Sequence, residues 1–136
     1  MPATLAAVLL ATGCGGGSPS AESVVRAWSQ ALNHDDNNTA ASLFANGAKV
    51  VQLGRVVTLR THADAVAWNA ALPCSGRIVS IHSRGDVATA TFLLGNRAHS
   101  QCDGPGQQAT ALFRVVRGKI VLWHQTDSGP SLLPPV

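Results

Sequence analysis

The second half of the chain restricts the fold most. Between residues 77 and 125, apolar side chains alternate with polar ones in runs broken by Arg84-Gly85 and Arg117-Gly118. Period-two alternation interrupted by two-residue glycine breaks specifies antiparallel hairpins. The expected strands are Arg77–Ser83 with Asp86–Leu94, and Gln107–Val116 with Lys119–Gln125, joined by a polar loop from Asn96 to Gly106.

Pairing about Arg117-Gly118 places Val115 beside Ile120, Phe113 beside Leu122 and Ala111 beside His124, the expected core face. The reverse face would carry Thr110, Leu112, Arg114, Val121, Trp123 and Gln125, a mixture too apolar for plain solvent. The hairpin about Arg84-Gly85 likewise puts Val79, Ile81, Ala88, Ala90, Phe92 and Leu94 on one face. Ser80, His82, Thr89 and Thr91 take the other. Helices cover one face of such a sheet. The apolar reverse face predicts a homodimer centred on Leu112, Val121 and Trp123, or a monomer in which Leu132 and Leu133 of the tail fold back over Trp123.

The first half supplies the helices. Val24, Val25, Ala27, Trp28, Ala31 and Leu32 recur at helical spacing, with Ser20 or Ser18 as cap and Glu22 in the first turn. After the turn cluster Asn33–Asn38, Ala40, Ala41, Leu43 and Phe44 mark a short second helix closed by Asn46-Gly47. A hairpin follows, Lys49–Leu53 with Val56–Leu59 about Gly54-Arg55. Thr61 and Asp64 form a capping box opening a third helix through Ala65, Val66, Trp68, Ala71 and Leu72, stopped by Pro73. The expected class is α+β, with a single core of 21–127 and an irregular tail over 128–136.

This order, with Val25-Arg26-Ala27-Trp28 through Ala31-Leu32, Asp35-Asp36, Ala40 to Ala45 and the closing Gly118-Lys119-Ile120-Val121 through Trp123-His124, resembles the nuclear transport factor 2-like superfamily, which includes SnoaL-like proteins and ketosteroid isomerases. The resemblance implies a cone-shaped curved antiparallel sheet packed on three N-terminal helices. It also implies a pocket between the sheet's concave face and those helices. Family isomerases place a tyrosine on the first helix as oxyanion donor. This chain has no tyrosine, and the matching region offers Trp28, whose indole donates a hydrogen bond but is no acid near neutral pH.

The N-terminus carries a different message. Leu5 to Gly13 is a short uncharged apolar run, followed by Cys14 and then Gly15-Gly16-Gly17-Ser18-Pro19-Ser20. It is too short to span a bilayer and reads as the apolar region of a signal segment over 1–13. Leu10-Ala11-Thr12-Gly13-Cys14 resembles a bacterial lipobox, departing from it in having Ala11 three places before the cysteine and no Lys or Arg ahead of the run. The resemblance implies lipid attachment at Cys14, a flexible tether over 14–20 and residence at the outer face of the cytoplasmic membrane. A plain cysteine in a cytosolic chain is the alternative. With Cys14 set aside, Cys74 and Cys102 remain as a pair for a disulfide closing a loop of about 29 residues. The competing use is a metal site built on Cys102 and His99, but two ligands fall short of a zinc constellation, so no metal is expected.

The ten Lys and Arg against seven Asp and Glu give a net charge of +3, yet the basic residues are scattered and form no stripe, which argues against nucleic-acid binding. No cofactor is expected. Candidate pocket residues are Trp28, Trp68, Phe113 and His124. The tryptophans serve equally as core, and His124 serves either as a pocket base or as a structural histidine held by a neighbour. His34, His62, His82 and His99 read as surface, and no carboxylate falls on a core face. The function that follows is an exported, lipid-anchored binding or interaction domain with an apolar pocket for a small hydrophobic molecule. The alternative is a SnoaL-like cyclase or isomerase using His124.

Overall fold

The computed structural model describes residues 17–127, with the side chain of Asp127 set apart. The signal segment, Cys14 and the tail with Leu132 and Leu133 lie outside the described residues. Three helices, α1 (Ala21–Asn33), α2 (Asn37–Ser42) and α3 (His62–Ala71), pack on a six-stranded sheet. The strands are β1 (Phe44–Gln52), β2 (Arg55–Leu59), β3 (Cys74–Arg84), β4 (Val87–Asn96), β5 (Gln108–Val116) and β6 (Lys119–Asp127). Their order across the sheet is β2-β1-β6-β5-β4-β3, antiparallel throughout except for the parallel pair β1 and β6. None of the described helices is long and apolar enough to cross a membrane.

The helix starts follow from their caps. The Ser20 hydroxyl accepts from the Ser23 amide, Asp36 caps α2 by accepting from Thr39, and Thr61 caps α3 by accepting from Asp64. Each such cap contributes about 1 kcal/mol. α1 buries Val24, Val25, Trp28, Ala31 and Leu32, the stripe that its periodicity predicts. It is also clamped to the sheet edge. The Ser29 hydroxyl and Asn33 amide both donate to the Gly76 carbonyl, and the Gly76 amide donates to Asn33 Oδ1. These bonds use backbone groups of edge strand β3 that would otherwise remain open for pairing with another chain. Gly76 allows a close approach here, since a Cβ would stand 3.0 Å from the Phe92 ring and the ring would have to shift.

The second helix ends earlier than expected. Phe44 already belongs to β1, and Asn46-Gly47 lies inside that strand, where Gly47 has φ 86° and the register against β6 shifts between Phe44 and Lys49. The Asn-Gly pair therefore marks a bulge and not a helix stop. Two of the three turns also move by one residue. The β1–β2 turn is Leu53-Gly54 and the β3–β4 turn Gly85-Asp86, whereas Arg117-Gly118 sits as read.

Single-residue bulges overturn two face assignments. On β6, Ile120 pairs with Val115 but Leu122 pairs with Arg114, so Val121 is an extra residue and everything beyond it turns over. Trp123 then lies opposite Phe113 in the core, and His124 lies opposite Leu112 on the outer face. The expected interface trio of Leu112, Val121 and Trp123 is thus split, and His124 is not on the core face. On β3 the register shifts between Ile78 and Ser80. Val79 is the extra residue and points outward, 43% exposed, while Ile78 packs on the core.

The core centres on aromatic rings. Phe113 is fully buried, with its ring centroid 5.3 Å from that of Trp28, 6.2 Å from Phe92 and 6.5 Å from Trp123. Trp68 of α3 joins by edge contacts to Trp123 at 5.0 Å and Phe44 at 5.6 Å. Tilted and edge-on geometries at these distances are the favoured ones for aromatic pairs.

Candidate functional site

A cavity of about 180 Å³ opens between α1 and the concave face of the sheet. α1 contributes Trp28, Ser29 and Leu32, the end of α3 adds Leu72 and Pro73, and the first residues of β3 supply Cys74 to Gly76. Phe92 and Leu94 come from β4, Ala109 to Ala111 from β5, and Trp123 and Gln125 from β6. Gln52 and Leu53 close it from the β1–β2 turn, and Asp103 stands at the side of the β4–β5 loop. The surface is chiefly apolar.

Its polar groups are few and mostly engaged. Gln52 Nε2 donates to Gln125 Oε1 at 3.0 Å, and Ser29 is committed to Gly76. The Trp28 indole donates to Asn69 Oδ1 at 2.8 Å, and Asn69 in turn donates to the Ala65 carbonyl within α3. The indole N–H of Trp123 is different, being buried without a hydrogen-bond partner among the described residues. Such a group costs about 1–3 kcal/mol while unpaired.

Of the four pocket candidates from the sequence, Trp28 lines the cavity. Trp68 and Phe113 stand behind the lining as core, and His124 lies on the opposite face of the sheet. Trp123, expected on the outer face, lines the cavity instead. His34, His62, His82 and His99 are exposed, as expected.

The β4–β5 loop is the part that sequence reasoning left featureless, and it is heavily built. Cys74 and Cys102 are joined in a disulfide with Cα atoms 4.4 Å apart. That bond uses the sulfurs which, with Asp103, form the one potential metal-ligating cluster among the described residues, so it has no thiolate to offer. The Cys102 amide donates to Asn96 Oδ1, Ser100 Oγ to the Pro73 carbonyl, and the amides of Gly106 and Leu94 to the carbonyls of Leu94 and Gln107.

At the loop's start lies Arg97, whose side chain is 2% exposed. Its guanidinium donates to Asp35 Oδ1 at 2.6 Å, to the carbonyls of Asn69 and Leu72 at 2.7 Å each, and to Asn37 Oδ1. One side chain thereby ties the α1–α2 turn, the end of α3 and the β4–β5 loop. Burial pushes the Asp35 carboxyl up, but the Arg97 hydrogen bond and charge, with His99 adding to them, outweigh that and hold it below its ordinary value of 3.8. Asp35 thus stays charged, as an ion-pair partner and not as a proton acceptor.

No family model matches the chain, and no curated protein matches it in sequence. Solved structures do. An NTF2-like protein of unknown function from Cytophaga hutchinsonii is similar with a TM-score of 0.65 at 11% identity, over 80% of this chain and 90% of that one. The fold is nuclear transport factor 2-like. A hypothetical protein with a ketosteroid isomerase-like fold from Catenulispora acidiphila, in complex with trimethylamine, gives a TM-score of 0.63 at 20% identity over 77% of this chain and 85% of that one. An LEH-like epoxide hydrolase of M. tuberculosis gives 0.59 at 16%, over 79% and 81%. At these identities the likeness carries the nuclear transport factor 2-like fold alone.

Proposed function

We propose that this domain binds a small, largely apolar molecule without transforming it. The observation that carries the reading is the cavity itself, walled by Trp28, Phe92 and Trp123. Apolar cavities of about 150 Å³ accept benzene, so one of about 180 Å³ suits a ring with a short substituent. General acid–base chemistry needs a titratable pair within reach of one substrate atom. Among the described lining residues the only titratable group outside the disulfide is Asp103, and His124, on which an isomerase-like reading rested, faces the other way. The similar structure holding trimethylamine supports a small-ligand role by analogy.

Titration with cyclohexylmethanol tests the reading, followed by tryptophan emission and thermal shift. Trp28 and Trp123 line the cavity, so binding should change the emission and raise the melting temperature. Ala109→Phe, which fills the cavity, should abolish both responses, and His124→Ala should leave them intact. Loss of binding in His124→Ala with retention in Ala109→Phe would refute the assignment.

The setting we propose is the outer face of the cytoplasmic membrane, with a lipid on Cys14 and residues 15–20 as the tether. The supports are the apolar run before Cys14 and a disulfide that only an oxidising compartment sustains. We also propose a homodimer through the outer sheet face. There Val51, His124, Leu112 and Thr89 form one row across four strands, flanked by Leu122 and Arg114.

A further inference from the structure

The chain is basic, with ten Lys and Arg against seven Asp and Glu, yet none of the ten lines the cavity. Among the described residues, the one charged side chain in its wall is the carboxylate of Asp103. An anionic ligand would meet no counter-charge there. A cation would meet a carboxylate and the rings of Trp28, Phe92 and Trp123, whose faces attract cations through their quadrupoles.

Asp103 is also held in place. It follows the buried Cys102, and its Oδ1 lies 3.6 Å from Cys74 Sγ, beside the disulfide that forms part of the cavity mouth. On one flank the Cys102 amide is bonded to Asn96, and on the other the Gln107 amide is bonded to the Gly104 carbonyl. The loop that bears Asp103 is tied on both flanks, so its backbone is in place before a ligand arrives.

From this we infer that the cavity selects small lipophilic amines in their protonated form, the apolar body against the tryptophans and the ammonium at Asp103. The inference rests on the cavity being a ligand site, and specifies the ligand's charge. Asp103 is exposed, so the charge contribution is moderate and falls with salt.

Three ligands of one shape but different charge test it on the full mature protein at pH 7: cyclohexylmethylamine, cyclohexylmethanol and cyclohexanecarboxylate. Calorimetric titration should place the amine roughly three- to tenfold tighter than the alcohol, with the carboxylate weakest. Asp103→Asn should bring amine and alcohol to within about twofold, and high salt should do the same. Equal binding of alcohol and amine to wild type, or an amine preference that survives Asp103→Asn, would overturn the inference and leave the cavity standing as a ligand site. Failure of all three to bind would overturn both.

Discussion

Replacing Arg97 with alanine removes the side-chain donor from the part-buried Leu72 carbonyl and from Asp35 and Asn37, and one of two donors from the buried Asn69 carbonyl, which keeps the Leu72 amide. Leaving a buried acceptor unpaired costs about 1–3 kcal/mol, which is the loss implied by the Leu72 carbonyl alone. At about 4 °C per kcal/mol for a domain of this size, the melting temperature should fall by about 4–12 °C. Arg97→Lys should fall between, since an ammonium can reach some of these oxygens but lacks the planar fork that serves all of them. The pH dependence gives an independent check. The folded Asp35 has its pKa depressed below 3.8, so its contribution is present above the unfolded value and is lost as pH falls through the folded one. The gap between wild type and Arg97→Ala should therefore be widest above about pH 4 and should narrow below it. Calorimetric melting of both proteins between pH 2.5 and 7 measures this directly. A variant that melts within about 3 °C of wild type at pH 7 would show that the hub contributes little, and a gap that widens in acid would refute the ion-pair account.

Cys74→Ser with Cys102→Ser should lower stability by about 3–4 kcal/mol on the chain-entropy argument for this loop, and alkylation of the untreated mature protein should find neither thiol. Cys14→Ser should move the protein from the membrane to the soluble fraction with its melting curve unchanged; retention on membranes after a salt wash would sink the anchor. Leu122→Glu, on the outer face, should halve the mass seen by light scattering, and a wild type already monomeric at high concentration would end the dimer proposal. Trp123→Glu should instead unfold the domain, because it buries a charge among Phe113, Trp28 and Trp68.

What could be read from the sequence was what repeats along it. The apolar stripe of α1, the Thr61 cap and the turn at Arg117-Gly118 are local patterns, and the structure reproduces each. The face assignments failed at Val79 and Val121, where one extra residue enters a strand. A bulge carries no hydrophobic signature, since Val121 suits a strand as well as any neighbour. Its effect is nonetheless global for the strand, because a period of two converts a slip of one into exchange of the two faces. That is why His124 and Trp123 traded places.

The cavity shows the same division. Trp28 was within reach of sequence reasoning because a tryptophan on the buried stripe of a helix must face the sheet. Asp103 and Arg97 were not, because both lie in a segment whose composition says only that it is polar. Arg97 meets partners 60 and 62 residues away in sequence. One local sign did exist in Gly76, a glycine near the start of an apolar strand, which signals close approach of another element. Here α1 docks on its backbone and Phe92 lies beneath it. The disulfide starts two residues before that contact, so the same short stretch of β3 anchors the helix and bears the loop with Asp103. The position of the Asp103 carboxylate in the cavity wall is thus set by the packing that forms the core.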